Sequence, residues 1–234
     1  MRIIAVGGGA WDNTVSIDDE FLGQINQAGP VLFIPTASSD NPDYIERFER
    51  WTASRGVAGE VLRLHSGEEA APKIVRAAAI YVGGGNTKMM IALWKELGVD
   101  RLLRTFAIDE GRPVGGVSAG AICWFRVGNS DWPVYEGIPG VNTAPVAGLG
   151  WVDLAYCPHV HAEPFRYDEF NAMMATEPGV GIGVTDGAAM QIVDDTYRIL
   201  ASTDEGHAYR VEAGVAVRID PHADFRPLSS LYTS

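Results

Sequence analysis

The sequence has few of the residues that build disulfide frameworks or metal sites. It contains two cysteines, Cys123 and Cys157, and five histidines in 234 residues. Two cysteines cannot make a disulfide framework, and the lack of a C-x-x-C or His-rich cluster argues against a zinc site. We therefore expect both cysteines to be small buried apolar residues. We also expect no metal and no cofactor.

Positive charge is scarce as well. The chain has 18 Lys and Arg against 30 Asp and Glu, which leaves a net charge of −12. Nucleic acids and anionic membranes would be repelled by such a surface, so we expect neither as a partner. No apolar run approaches the roughly 20 residues that span a bilayer. The opening segment lacks the basic start and long apolar centre of a signal peptide, so we expect a cytoplasmic protein.

What the sequence does contain is typical of a globular α/β protein. It is 47% hydrophobic and 21% charged, and its length favours one large domain over residues 1–234. Short β-branched runs that end in Gly, Pro or small polar residues alternate with stretches of helical period, which predicts strand-helix-strand units and a parallel sheet. The predicted strands are 2–6, 31–34, 60–64, 79–82 and 113–117, and the predicted helices are 43–54, 87–97 and 101–110.

The pattern changes after about Val127. Residues 128–150 are rich in Gly, Pro and Asn and are predicted to form a long loop. The rest of the chain predicts short strands joined by tight turns, as in an antiparallel extension of the sheet. An exposed apolar strand in this part would be compatible with a homodimer. The predicted strands are 150–157, 181–184, 188–193, 196–200 and 208–217.

The strongest local motif surrounds Ser118. This serine follows a predicted core strand and has Gly116 and Gly120 two residues away on either side. A nucleophile elbow places its serine on such a strained strand-to-helix turn, where only small neighbours fit. Gly-x-Ser-x-Gly also arises by chance in a chain with 27 glycines, but the strand before it and the helical run after it favour the functional interpretation.

A second glycine-rich turn, Gly83-Gly84-Gly85-Asn86-Thr87, closes the preceding predicted strand. It matches neither the dinucleotide-binding fingerprint nor a P-loop. Taken alone, it is equally well explained as a tight strand-to-helix turn without a ligand. Beside Ser118 it would provide an oxyanion hole, with one N–H from Gly84 or Gly85 and the other from Ala119.

A serine nucleophile needs a base, because its hydroxyl reacts poorly at neutral pH. His65 and His207 lie in predicted surface turns, and His222 lies in a polar tail. His159 and His161 remain, at the end of a predicted strand, where open α/β sheets place their sites. Both stay candidates for the base, and each is equally explained as a structural histidine.

Three acids could orient the base. Asp131 follows the elbow region, Glu163 lies close after the histidines, and Asp186 stands in a Thr-Asp-Gly turn. Each also has an ordinary explanation as a loop, helix-start or turn residue. The sequence does not separate them.

The order of these motifs resembles the peptidase S51 family, whose members include dipeptidase E and cyanophycinase. The shared features are Gly-Gly-Gly-Asn-Thr, the Gly-x-Ser-Ala-Gly-Ala elbow, Pro-His about forty residues further on, and Thr-Asp-Gly, all between the first strand and about residue 193. The resemblance implies a class I glutamine amidotransferase-like three-layer α/β sandwich with a mainly parallel central sheet and an antiparallel C-terminal extension. It also implies a metal-free serine peptidase that releases N-terminal aspartate from small peptides through an acyl-enzyme.

Carried over by position, the resemblance makes Ser118 the nucleophile and His159 the base. Asp131 is the nearest match to the acidic third member. Gly84, Gly85 and Ala119 match the oxyanion hole. The chain departs from the family pattern after Pro-His, where Val160 and His161 replace an aromatic residue followed by an acid.

Four further residues are predicted to contact the substrate. Arg166 could form a bidentate contact with a substrate carboxylate, Glu163 or Asp186 could hold the substrate ammonium, and Asn86 lies in the same turn as the oxyanion glycines. Two other functions fit the same residues. One is an acyl hydrolase or amidase acting on a non-peptide amide, and the other is a non-catalytic protein that binds a small molecule on the same fold.

Overall fold

A computed structural model describes residues 1–11 and 13–232 as a mixed α/β structure with two β-sheets. The central strands of both sheets are apolar and buried, the edge strands are partly exposed, and amphipathic helices pack against the sheets. The strands are β1 Arg2–Val6, β2 Val31–Ile34, β3 Gly59–Val61, β4 Ala79–Val82, β5 Pro113–Val117, β6 Phe125–Ser130, β7 Ala144–Ala147, β8 Val152–Cys157, β9 Val180–Val184, β10 Ala188–Val193, β11 Thr196–Ala201, β12 Ala208–Glu212, β13 Val215–Ile219 and β14 Arg226–Pro227.

The helices follow the strands of both sheets along the chain. The α-helices are α1 Val15–Gly23, α2 Pro42–Ser54, α3 Ala70–Arg76, α4 Thr87–Leu97, α5 Val99–Arg104, α6 Ala119–Ile122, α7 Trp132–Tyr135 and α8 Arg166–Met174. Short 3-10 segments cover Thr36–Ser38, Leu64–Ser66 and Leu228–Leu231, and a π-type turn covers Thr105–Asp109.

The first sheet has the order β14-β11-β10-β1-β5-β4-β2-β3. The five neighbouring strands β1, β5, β4, β2 and β3 run parallel to one another. Strands β10, β11 and β14 extend the sheet beyond β1, and each pairs antiparallel with its neighbour. The second sheet has the order β13-β12-β9-β8-β6-β7, with β6, β8 and β9 parallel. Strands β1, β5 and β4 are buried almost throughout, because helices cover both faces of a parallel sheet.

The predicted antiparallel extension of the central sheet is present in β10 and β11, but β8, β9, β12 and β13 lie in a second sheet that was not predicted. Residues 128–150 are not one long loop, because they contain the end of β6, helix α7 and strand β7. Their many Gly, Pro and Asn residues hid a short edge strand that pairs antiparallel with β6. The single strand predicted over 208–217 is a hairpin, β12 and β13, that turns at Ala213 and Gly214 with positive φ angles of 50° and 76°.

Two other predicted elements end earlier than expected. Strand β3 stops at Val61, and Leu64 begins a 3-10 turn instead. The helix predicted over 101–110 is α5 followed by the π-type turn. In both cases apolar spacing identified the buried residues but not the backbone conformation. Cys123 and Cys157 are buried and unpaired, as predicted. No helix of the described ranges is both long and apolar enough to cross a bilayer.

Candidate active site

Ser118 lies on the sharp turn between β5 and α6. Its backbone has φ 57° and ψ −114°, a conformation that costs energy for any residue with a side chain. The neighbouring glycines permit this turn, because a Cβ at Gly116 would collide with the Gly120 carbonyl and a Cβ at Gly120 would collide with the Val82 carbonyl. The predicted strand-turn-helix geometry is therefore present, and the serine is partly exposed rather than sealed in the core.

The turn after β4 faces Ser118 across a short gap. A Cβ placed on Gly84 would lie 3.2 Å from the Ser118 Cβ and 3.7 Å from its Oγ. Three of the four amides from Gly83 to Asn86 are already used within the protein. Gly83 N–H donates to the Ile34 carbonyl at 3.1 Å, Gly84 N–H to the Tyr44 hydroxyl at 3.2 Å, and Asn86 N–H to the Ala37 carbonyl at 2.8 Å.

Gly85 supplies the remaining amide of that turn, and its N–H has no hydrogen-bond acceptor among residues 1–11 and 13–232. Gly85 has φ 133°, and a Cβ there would collide with the Ala37 carbonyl, so only glycine fits. Ala119 begins α6, and the first N–H groups of a helix have no partner within the helix. Of the predicted donors, Gly85 and Ala119 have amides to offer to an oxyanion, whereas the Gly84 amide is already bonded.

The His159 imidazole bonds to Asp186. The Nδ1 atom of His159 lies 2.7 Å from Asp186 Oδ1, and both side chains are partly exposed. His159 also has a positive φ of 55°, so the candidate base is held in an uncommon backbone conformation like that of the candidate nucleophile. If Nδ1 carries the proton and donates it to Asp186, Nε2 is left as the acceptor that a general base requires.

The end of β1 holds the groups from both sheets together. Successive carbonyls there accept hydrogen bonds from different parts of the chain. The Ala5 carbonyl accepts a hydrogen bond from the Tyr156 hydroxyl at 2.9 Å, and the Val6 carbonyl accepts one from the Ser118 amide at 3.3 Å. The Gly7 carbonyl accepts from the His159 amide at 3.1 Å, and the Gly8 carbonyl accepts from the Gly187 amide at 3.1 Å. The backbones of the serine and the histidine are thus fixed on adjacent residues of one strand end.

Gly7 and Gly8 permit this close approach. A Cβ on Gly7 would collide with the Thr185 carbonyl, and a Cβ on Gly8 would collide with Asp186 Oδ1 and lie 2.5 Å from His159 Nδ1. The sequence patterns did not identify Gly7 and Gly8 as site residues. A signal was present, because they form a third glycine-rich turn after a predicted parallel strand, the same context as the turns at Ser118 and Gly83.

His161, the other candidate base, lies in a different cluster. Its ring contacts the rings of Tyr167, His207 and Tyr209, with centroids 5.2 to 5.5 Å away. Burial and the neighbouring His207 lower the pKa of His161. Of the two histidines, His159 is the one whose amide binds the end of β1, next to the carbonyl that binds the Ser118 amide.

Asp131 makes its close contact with Arg166 rather than with the imidazole. Its Oδ2 lies 3.8 Å from the Arg166 Nη2, and Arg166 also binds Glu163 Oε2 through Nε at 2.8 Å and Nη2 at 2.6 Å. Burial raises the pKa of Asp131, and Arg166 partly offsets that effect. The hydrogen bond to the base that we expected of Asp131 is made by Asp186. The reason is that β8 and β9 are adjacent parallel strands, so residues just beyond their ends meet.

Asn86, one of the predicted substrate contacts, has a structural task in the fold. Its side-chain oxygen accepts from the Met89 amide at 3.0 Å and so caps α4 at the N-terminus. Arg166 is only 1% exposed. Of the four predicted substrate contacts, Glu163 and Asp186 are thus the two with carboxylates that reach solvent.

The sequence of this chain matches a known protein family over most of its length. The model of peptidase family S51 matches residues 3–200 of this chain. The chain belongs to peptidase family S51. This membership makes it a serine-type peptidase, in agreement with the sequence-based prediction.

Curated relatives of this S51 peptidase carry peptidase names. It is 34% identical over 218 residues to the uncharacterized peptidase YgaJ of Bacillus subtilis (strain 168), with 90% of this chain and 91% of that protein covered. It is 25% identical over 188 residues to peptidase E of Streptomyces coelicolor, with 76% of this chain and 73% of that protein covered.

Solved structures show the same fold. A peptidase from an acI-B1 Actinobacterium superposes with a TM-score of 0.71 at 15% identity, covering 97% of this chain and 96% of that one. A candidate peptidase E from Listeria monocytogenes EGD-e gives a TM-score of 0.65 at 22% identity, covering 86% and 98%. These likenesses confirm the class I glutamine amidotransferase-like fold implied by the sequence resemblance.

Proposed function

We propose that this S51 peptidase hydrolyses small peptides with Ser118 as nucleophile, His159 as general base and Asp186 as the acid that orients the base. One observation carries the proposal. The amides of Ser118 and His159 bind adjacent carbonyls at the end of β1, and the imidazole bonds to Asp186 at 2.7 Å. This arrangement supports the nucleophile, base and orienting acid of a serine hydrolase.

The proposed reaction begins with attack of the Ser118 Oγ on the peptide carbonyl carbon. His159 Nε2 takes the hydroxyl proton, and the oxyanion accepts hydrogen bonds from the amides of Gly85 and Ala119. The C–N bond then breaks, and His159 gives its proton to the leaving amine. Water attacks the resulting ester, again with His159 as base, and restores the serine. Each oxyanion donor is worth about 3 to 4 kcal/mol in other serine hydrolases.

The Ser118→Ala variant tests the nucleophile. It should lose turnover of a dipeptide panel by several orders of magnitude, because the remaining groups have no nucleophile to activate. A fluorophosphonate probe should label the native protein at Ser118, located by peptide mass spectrometry. Ser66→Ala, an exposed serine in a 3-10 turn, is the control and should keep both properties. Retained turnover in folded Ser118→Ala would refute the assignment.

The expected size of the substrate and its N-terminal aspartate rest on the family resemblance alone. A dipeptide panel measured beside simple amides separates a dipeptidase from an amidase acting on a non-peptide amide. A protein that only binds a small molecule would leave Ser118 unlabelled by the probe.

A further inference from the structure

We expected the Arg166 guanidinium to bind a substrate carboxylate, but in the structure it pairs with carboxylates of the protein itself. Its side chain is 1% exposed, and its Nε and Nη2 atoms bind Glu163 Oε2 at 2.8 and 2.6 Å. Asp131 Oδ2 lies 3.8 Å from the same Nη2. The third nitrogen, Nη1, is buried and has no hydrogen-bond partner among the described residues, so a substrate carboxylate could bind Arg166 only after that position opened to solvent.

The two carboxylates remain accessible where Arg166 is not. The side chain of Glu163 is 37% exposed and that of Asp131 is 30% exposed. Two carboxylates share one guanidinium, so this cluster carries an excess of one negative charge. A peptide bound beside it would meet carboxylates before it met the buried cation.

The cluster lies close to the candidate base, because Glu163 follows His159 by four residues and the Ala162 amide between them donates to the His159 carbonyl at 3.1 Å. Burial raises the pKa of Asp131, Arg166 acts against that rise, and His159 is close enough to act against it as well. Burial also raises the pKa of Tyr135, and Asp131 raises it further. The Asp186 carboxylate, bonded to His159 Nδ1 at 2.7 Å, adds a further negative charge. The surroundings of His159 are thus predominantly anionic.

We propose that Glu163 and Asp131, held by the buried Arg166, make the substrate subsite acidic, so that the enzyme takes peptides with a neutral or basic N-terminal residue and disfavours N-terminal aspartate. The proposal rests on the proposed function, because it concerns the residue on the acyl side of the bond that Ser118 attacks. A carboxylate on that residue would add a like charge to the cluster. The α-ammonium of an unblocked peptide, or a basic side chain, would complement it.

The test compares the dipeptides Asn-Leu, Asp-Leu and Lys-Leu with native protein at low ionic strength. Asn and Asp have nearly the same shape, so their ratio of kcat/KM reports charge. We expect Asn-Leu and Lys-Leu to exceed Asp-Leu by about tenfold or more, a difference that should shrink as salt screens the cluster.

Two substitutions then probe the origin of the discrimination. Glu163→Gln and Asp131→Asn should each move the Asp-Leu to Asn-Leu ratio toward Asp-Leu by about threefold to tenfold, since each removes one negative charge. Glu177→Gln is the matched control, because Glu177 also pairs with an arginine, Arg126, at 2.6 Å. It should leave the ratio unchanged. If one subsite variant fails to fold, the other still carries the test.

The outcomes separate this inference from the proposed function. If Ser118 reacts with the probe and Asp-Leu is cleaved as well as or better than Asn-Leu, the acidic subsite is refuted and the peptidase mechanism stands. If the ratio favours Asn-Leu but neither subsite variant moves it, these residues are not the cause, and the inference fails. If Ser118 does not react and no dipeptide is cleaved, the proposed function fails and this inference fails with it.

Discussion

The two sheets contribute to the candidate site in different ways. The first sheet supplies Ser118 and the amides proposed to bind the oxyanion, which depend on backbone geometry and on glycines at close approaches. The second sheet supplies His159 and Asp186, and the Glu163-Arg166 pair lies in and beside α8, which packs on it. Function in the first region should therefore be sensitive to added atoms, and function in the second to charge and protonation. Substitutions chosen for each region test this contrast.

Among the substitutions that leave Ser118 in place, the largest effect is expected in the second region, for Asp186→Asn. An asparagine can donate to Nδ1 and so favour the wrong imidazole tautomer, and kcat should fall about 10³-fold to 10⁴-fold. Asp131→Asn, the same chemical change at the other candidate acid, should lower kcat for Asn-Leu less than about tenfold, because Asp186 still orients the base. A larger loss in Asp131→Asn than in Asp186→Asn would return the orienting role to Asp131.

In the first region, Gly85→Ala should lower kcat by about 10²-fold or more, since displacing the turn moves an oxyanion donor. The added Cβ has no room beside the Ala37 carbonyl, and φ is 133°. Gly67→Ala is the control. It also has a positive φ, 76°, but its Cβ would meet no heavy atom of the described chain within 4 Å. It should keep its activity and lose only about 1 kcal/mol in the free energy of unfolding, measured by urea titration. Equal activity in the two variants would contradict the oxyanion assignment.

A smaller effect is expected for Tyr44→Phe. The Tyr44 hydroxyl accepts the Gly84 amide, and burial raises the pKa of Tyr44 to about 12, so the group stays neutral. Its removal leaves the turn less firmly held, and kcat should fall about tenfold with little change in KM, which steady-state kinetics would resolve. Tyr81→Phe is the matched control, because the buried Tyr81 hydroxyl has no hydrogen-bond partner among the described residues. A change in KM alone would assign Tyr44 to binding instead.

The smallest effect on activity is expected for Asp18→Asn, in α1 beneath the first sheet. Burial raises the pKa of Asp18 from 3.8 to about 7, although Thr14 and Trp51 donate hydrogen bonds to it. Between those pH values the native protein holds a proton that the unfolded chain has lost, so its free energy of unfolding falls as pH rises from about 4 to about 7. The variant should lack this dependence and be about 2 kcal/mol more stable than the native protein at pH 8, with unchanged kcat.

Denaturant titrations at pH 4 and pH 8 measure this difference. At pH 4 the two proteins should have similar stability, because Asp18 is then protonated in the native state. If Asp18 instead made the native protein more stable as the pH rises from 4 to 7, the Asp18 carboxyl would not be buried as described.

The local elements that carry the candidate site residues follow from the sequence more directly than the contacts between those residues. The strands before Ser118 and Gly83 end where they were predicted to end, because buried apolar runs bounded by glycine leave few alternatives. The choice among Asp131, Glu163 and Asp186 stays open in the sequence, because it depends on which strands are neighbours. The prediction treated the C-terminal strands as an extension of one sheet, whereas β8 and β9 belong to a second sheet.

The sequence by itself determined the S51 resemblance, the elbow at Ser118 and the glycine turn at Gly83, since each depends on residues within one short segment. Only the tertiary structure decided that β1 joins the two sheets, that Asp186 reaches His159 and that Arg166 is enclosed by Glu163 and Asp131. These contacts connect residues far apart in the chain. Their existence depends on strand order and on the space between packed elements, which local patterns of residues do not encode.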